Sequence, residues 1–260
     1  MKHRRKSIII LLLIFTMCIS INSYAQETPL EKGYVKTEKD ILNLRELPSL
    51  QSNILVKLRR GSVITILDKT GNEGWYKVLY NGEEGYVSSE YVVISEKELD
   101  KYELVAAAVM TARNSSENRN FNMAKACETI NCLTLKPGEI FQWYGENGVG
   151  PANKENGYKQ APVVMNKKSV MGYGGGVCQV STALYNCIYS INIEPKELHH
   201  HSLPSSYVEK GMDATVSYSS DERYRKDFIF ENSKEYTILF EAYSDEGQVI
   251  VLCYKVLNQE

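Results

Sequence analysis

The sequence predicts an α+β chain of two modules, a small all-β barrel followed by a larger α+β domain. Three observations predict it. Residues 34–94 alternate apolar and polar side chains between glycine-rich turns, the pattern of antiparallel hairpins. Two later stretches, 118–130 and 177–191, repeat apolar residues at the three-to-four spacing of a helix. Beyond Thr215 the alternation returns, with 238–242 and 249–256 flanking the turn Asp245-Glu246-Gly247. A length of 260 residues fits one or two domains. With 43% hydrophobic and 24% charged residues, the composition is that of a folded protein and excludes disorder. A net charge of −2 offers no basic excess for nucleic acid.

Residues 1–25 read as a secretory signal peptide. Lys2, Arg4, Arg5 and Lys6 form a basic start, residues 8–15 are an unbroken apolar run, and Ser23-Tyr24-Ala25 offers small residues at −3 and −1 before Gln26. The run is about half of the roughly 20 apolar residues that a membrane span needs. Left uncleaved, the segment would add a transient membrane association. Phe15-Thr16-Met17 ahead of Cys18 lacks the small residues of a lipid-attachment site. Removing the four basic residues leaves 26 basic against 32 acidic side chains, a net charge of −6. Outside the cell, the five remaining cysteines (Cys127, Cys132, Cys178, Cys187, Cys253) imply at least one free thiol. No C-x-x-C pair occurs, so neither a structural zinc nor any other cofactor is expected.

The barrel spans 34–95. Leu42-Asn43-Leu44-Arg45, Leu58 to Gly61, Gly74-Trp75-Tyr76-Lys77-Val78, the turn Asn81-Gly82 and Gly85-Tyr86-Val87 follow one another in order. These residues resemble the bacterial SH3-like domain, with its Leu-Asn-Val-Arg, Leu-x-x-Gly, Gly-Trp-x-x-Val and Gly-Tyr-Val segments. The resemblance implies a cell-wall-binding module. Arg45-Glu46-Leu47-Pro48 departs from it, since the family usually has small residues before the proline. Trp75 is expected in the barrel core, with Tyr86 and Tyr91 as surface aromatics. Residues 96–112 are read as a connecting segment. Ser95 with Glu98 forms the capping-box pattern of a helix start. Ala106-Ala107-Ala108 suits a helix or a strand equally. In the helix over 118–130, Phe121, Ala124, Cys127 and Ile130 fall on one apolar stripe.

The chemical centre is the run Gly174-Gly175-Gly176-Val177-Cys178-Gln179-Val180-Ser181-Thr182, opening a helix. Val180, Ala183, Leu184, Cys187, Ile188 and Ile191 cluster on one side of it, and Cys178 opens the opposite face with Thr182, Tyr185 and Tyr189. The free N–H groups and dipole of a helix N-terminus stabilise a thiolate and an acyl oxyanion. Glycines let a substrate approach the backbone. This is what a nucleophilic cysteine needs; the alternative is a buried structural cysteine behind a flexible turn. A base would come from His199, His200 or His201. In an extended segment His199 and His201 share a face and His200 points to solvent. Asp213 can orient an imidazole. Sequence spacing gives little support to a metal held by His199, His201 and Cys178.

Residues 113–258 resemble the VanW family. The motifs run in order: Asn118-Arg119 with Asn122, Pro137-Gly138-Glu139-x-Phe141, Gly150-Pro151, Gly157-Tyr158, Gly174 to Thr182, Leu184-Tyr185-Asn186, His201-Ser202, Gly211-x-Asp213-Ala214-Thr215-Val216, and Asp227-x-x-Phe230-x-Asn232. The resemblance implies a VanW-like catalytic domain acting as an L,D-transpeptidase on peptidoglycan stem peptides of the cell wall. A cysteine attacks the carbonyl between stem residues three and four, releases D-alanine and passes the acyl group to a side-chain amine, giving a 3–3 crosslink. By position, Cys178 is the nucleophile, His201 the base and acid, and Asp213 its orienter. Gly176, Gln179, Ser181, Thr182 and His199 line the site, and Arg119 holds a substrate carboxylate or braces the fold. Two positions depart from the family: Leu198 stands where an Arg is frequent, and Cys132 where a Gly often follows Asn. A peptidoglycan cysteine endopeptidase and a non-catalytic cell-wall-binding or glycopeptide-response protein are the competing readings.

Overall fold

The computed structural model of the chain describes residues 30–37, 41–112, 114–165 and 168–257. The expected signal segment, 1–25, lies outside the described residues. Among those described, no helix is long and apolar enough to cross a membrane.

The first module consists of seven strands: β1 (Lys32–Val35), β2 (Ile41–Arg45), β3 (Ile54–Arg59), β4 (Val63–Asp68), β5 (Trp75–Tyr80), β6 (Glu83–Ser88) and β7 (Val92–Ile94). They form one antiparallel sheet in the order β3-β2-β6-β5-β4-β1-β7. Alternate residues point inward, so Leu42, Leu44, Leu58, Ile64, Ile66, Val78 and Val87 make the barrel core. Asn81 and Gly82 take φ of 50° and 87°, the left-handed pair that a two-residue hairpin turn requires. Trp75 is only partly buried, because the two-residue period that sends Val78 inward sends Tyr76 with it and Trp75 to the other face. Tyr91 is exposed as expected, and Tyr86 is half-buried.

No helix starts at Ser95. Its hydroxyl receives the Lys97 N–H at 3.4 Å and donates to the Tyr254 hydroxyl at 3.3 Å. The chain instead enters a ten-residue strand, β8 (Tyr102–Thr111), inside the stretch read as a connector. Then follow α1 (Glu117–Ile130), β9 (Thr134–Leu135), β10 (Ile140–Gln142), β11 (Gln160–Met165), β12 (Lys168–Tyr173), α2 (Val177–Ser190), β13 (Pro195–Glu197), β14 (Ile229–Glu231), β15 (Ile238–Asp245) and β16 (Gln248–Val256). The second module is thus a mixed α/β unit with two helices. Its main sheet is antiparallel in the order β8-β16-β15-β9.

That sheet is buried on both faces, which explains why Ala106-Ala107-Ala108 is apolar at every position and still a strand. Ala106, Ala108 and Met110 face the helices with Phe240, Val251 and Cys253. Ala107 and Val109 face the barrel with Ile250, Leu252 and Tyr254, and there they meet Tyr34 and Val63. Pairing slips between Cys253, opposite Ala106, and Tyr254, opposite Leu104. The extra residue, Val105, turns Leu104 to the barrel side. Polar ties close the seam: the Tyr34 and Tyr243 hydroxyls lie 2.8 Å apart, and Arg60 donates to Thr111 at 2.9 Å. Gly61 is needed at this contact, since a Cβ there would sit 2.6 Å from the Ala107 carbonyl oxygen.

The buried stripe of α1 is Met123, Ala126, Cys127 and Ile130 together with Asn122. Phe121, expected on it, is exposed under the Lys159 ammonium, 4.0 Å from its ring centre. Polar Asn122 takes the inward place, for a reason that appears at the site. After α1, Cys132 has φ of 67°, the left-handed conformation in which a helix end favours glycine. The small sheet β10-β14-β13 and the hairpin β11–β12 complete the module.

Candidate active site

Hairpin β11–β12 delivers the chain to Gly174, and Gly176 caps α2 with φ of 109°. A Cβ on Gly176 would lie 2.9 Å from side-chain carbons of both Arg119 and Met123, so α1 and α2 can approach this closely only over glycine. Three residues of α1 hold this junction. Asn118 donates to the Gln160 carbonyl at 2.9 Å. Asn122 donates to the carbonyls of Lys159 at 2.9 Å and Gly175 at 3.1 Å, and accepts the Lys159 N–H at 2.8 Å. Arg119 donates to Gln179 Oε1 at 3.0 Å. The Asn-Arg-x-x-Asn segment therefore brackets both arms of the glycine turn, which is why Asn122 is buried.

Cys178 sits in the first turn of α2, partly exposed, and its thiol points to the Val216 carbonyl at 3.4 Å. The segment 212–216 lies along α2, tied down by Ser181 Oγ to the Ala214 carbonyl (2.7 Å), Thr182 Oγ1 from the Ala214 N–H (3.0 Å) and Asn186 to the Met212 carbonyl (2.7 Å). This places Asp213, almost fully buried, against His201. Its Oδ2 accepts both the His201 backbone N–H at 2.6 Å and the ring Nδ1–H at 2.7 Å. With Nδ1 so engaged, Nε2 is the ring nitrogen left for Cys178, whose sulfur lies near enough to perturb the imidazole. Burial disfavours the charged imidazole, but the Cys178 sulfur and then Asp213 outweigh it, and the His201 pKa is raised from 6.5. Burial likewise opposes the Asp213 charge, yet the His201 N–H groups overcome it and the carboxyl is held below its usual value.

Cys178, His201 and Asp213 thus come together as one chain of contacts. Other expected lining residues do not join it. Gln179 is fully buried and donates to the carbonyls of Met110 (3.1 Å) and Gly247 (2.9 Å). Ser181 and Thr182 are fully buried and spend their hydroxyls on Ala214. Ser181 and Thr182 brace the site from below because 212–216 covers α2 there, and Gln179 ties the helix to the Met110 and Gly247 carbonyls. His199 turns away to Glu197 Oε1 at 2.8 Å, since the stretch after β13 is not a regular strand and the two-residue alternation fails. His200 is exposed as expected, and its Nδ1–H donates to the Asp213 carbonyl at 2.7 Å. Arg119 is half-buried beside the site, and Gly176 forms its edge.

Two tyrosines complete the surroundings without having been marked in the sequence. Tyr207 lies beside Ser205, Thr182 and Cys178. Burial first and the neighbouring Cys178 second push its hydroxyl up to about 12, against the pull of Ser205, Thr182 and Arg119. Ser205 in turn lies 3.3 Å from His201 Nδ1. Burial and then Cys178 also raise Tyr144. Its ring packs edge-on against Tyr218 at 5.5 Å, and its backbone N–H bonds to Asp227, which is why Asp227 is buried. The only sequence signal for Tyr207 was its place between the His201 and Asp213 motifs.

Fold and site together define a two-module protein: a small barrel seated on an α+β domain that offers a cysteine at a helix N-terminus to a histidine–aspartate pair. The chain belongs to the VanW-like protein family, whose model matches residues 118–254, and a bacterial SH3 domain matches residues 40–93. It is 30% identical over 169 residues to the uncharacterized protein YoaR of Bacillus subtilis, covering 65% of this chain and 52% of that one. It is 35% identical over 106 residues to the vancomycin B-type resistance protein VanW of Enterococcus faecalis, covering 39% and 38%. A third match, to bacteriocin BCN5 of Clostridium perfringens, is 40% identical over 62 residues, 24% of this chain and 7% of that one. The chain spans about half the length, or less, of these curated relatives.

Proposed function

We propose that this chain is a peptidoglycan L,D-transpeptidase that forms 3–3 crosslinks through a thioester on Cys178. Family membership and the SH3 domain support a cell-wall-related role outside the cytoplasm. The observation that carries the finer reading is the Cys178–His201–Asp213 chain of contacts at the start of α2. In this reading His201 Nε2 takes the Cys178 proton as sulfur attacks the stem carbonyl. The Val177 and Gln179 N–H groups already bond to Gly174 (3.1 Å) and Gly176 (2.9 Å), so the Cys178 N–H is the donor assigned to the oxyanion. Collapse expels the D-alanine amine with the proton returned by His201, leaving an acyl-cysteine. An acceptor amine then gives a proton to His201, attacks the thioester and frees Cys178.

Asp213 keeps the imidazole in the tautomer this cycle needs. Arg119, steadied by Gln179, is the cation assigned to the carboxylate of the leaving D-alanine. Purified protein incubated with a disaccharide-tetrapeptide is expected to yield 3–3 dimers by mass spectrometry, and Cys178→Ala to yield none. Dimers from that variant would sink the mechanism. Cleaved stems in place of dimers would point to an endopeptidase, and an unchanged substrate to a binding protein. A carbapenem adduct on Cys178 is the companion measurement for the acyl step.

A further inference from the structure

We propose that Cys187 and Cys253 join in a disulfide as the chain folds, stapling α2 to β16. The proposal rests on the extracytoplasmic reading above for its oxidising surroundings, but not on acyl transfer. The two residues are on facing elements. Cys187 lies on the underside of α2, and its thiol reaches the Val251 carbonyl of β16 at 3.6 Å. Val251 and Cys253 alternate onto the same face of β16, so the Cys253 side chain enters the core beside that contact. The two thiols lie near enough to perturb each other, and both residues are 0% exposed. A bond would bring the two sulfurs to ~2.05 Å of each other.

The other cysteines are occupied elsewhere. Cys178 faces His201, Cys127 lies near Tyr158 on the α1 side, and Cys132 is exposed near Lys97. The odd count of five in the exported part therefore resolves into one pair and three single thiols.

Burial, then the Cys253 thiol, pushes Cys187 well above the usual thiol range, so the closed core keeps it protonated and unreactive. Oxidation belongs to the folding stage, before the core excludes reagents. One thiolate attacks the disulfide of an exported thiol–disulfide oxidoreductase or of a small disulfide such as oxidised glutathione, forming a mixed disulfide. The second thiolate displaces it. The S–S bond forms, two protons leave, and the donor departs as two thiols carrying the two electrons. The bond would close a separation of 66 residues that contains His201, Asp213 and Val216. It would restrict the unfolded chain across the whole site-bearing segment.

The test is to refold the full chain from denaturant, once in a glutathione redox buffer and once with a reductant. Each sample is then alkylated under denaturing conditions and digested without reduction. The expected result is one peptide pair linked through Cys187 and Cys253 and lacking two hydrogens, with alkyl groups on Cys18, Cys127, Cys132 and Cys178. The oxidised sample should also unfold at least about 5 °C higher than the reduced one. Alkyl groups on both Cys187 and Cys253 in the oxidised sample, or a bond from either to another cysteine, overturn the pairing. Equal unfolding temperatures overturn the staple. Cys178→Ala should carry the same linkage, so the outcome stands whether or not the acyl-transfer reading does.

Discussion

Cys178 and Cys187 lie nine residues apart on one helix and differ in almost everything that governs a thiol. Cys178 is in the first turn, partly exposed, within reach of an imidazole and two tyrosines. Cys187 is two and a half turns further on, sealed in the apolar core between α2 and β16 with its thiol against the Val251 carbonyl. Residue type is the same and helix is the same. What differs is which elements fold back over each turn: 212–216 over the first, the main sheet over the second. Reactivity here is a property of those neighbours.

The largest expected effect falls on the first cysteine alone. Cys178→Ala should lower crosslinking by at least about 10³-fold, while its unfolding midpoint stays near that of the wild type. If this variant lost as much stability as a core substitution, the contrast between the two turns would collapse. Next comes Asp213→Asn, which should cost about 10²–10⁴-fold in activity by freeing the wrong imidazole tautomer. It also removes a group that raises the His201 pKa, so the ring should titrate lower in an NMR pH series.

The same pair has a signature in stability. His201 is raised above 6.5, so its contribution is full below that pH and is lost as pH rises through its folded value. Asp213 is held below 3.8, so its contribution is present above that pH and is lost as pH falls through its folded value. The melting-temperature gap between wild type and Asp213→Asn should therefore be widest between pH 3.8 and 6.5. A gap independent of pH would leave the pair without its electrostatic role.

Cys187→Ala sharpens the comparison from the other end. Activity per folded molecule should survive, and reduced protein should lose about 1–3 kcal/mol in denaturant unfolding from the hole left between α2 and β16. The smallest effect is expected at Cys132, where φ of 67° strains any side chain. Cys132→Gly should gain up to about 1 kcal/mol, and a loss would mean that the side chain makes a contact worth more than the strain.

Much of the fold follows from local pattern. The Asn81-Gly82 turn, the helix after the three glycines and the Asp245-Glu246-Gly247 hairpin need only neighbouring residues to be recognised. The candidate triad was legible because its members sit in marked motifs. The misreadings have a common origin in distant partners. Ser95 looked like a cap, but its hydroxyl belongs to Tyr254, 159 residues away. Phe121 looked like core, but the inward place goes to Asn122, whose partners are at Lys159 and Gly175. Gln179, Ser181 and Thr182 looked like lining because they follow the cysteine, yet their polar atoms are claimed by Met110, Gly247 and Ala214. Tyr144 and Tyr207 carried no pattern of their own and are defined only by arriving near Cys178.

The sheet that carries apolar residues on both faces has one more consequence. Barrel and site-bearing helix pack on opposite sides of the same strands. If the barrel binds a cell-wall polymer, as proposed, that shared sheet sets how far the bound strand lies from Cys178. In that reading the molecule is a caliper whose span is the thickness of one sheet and what packs on it.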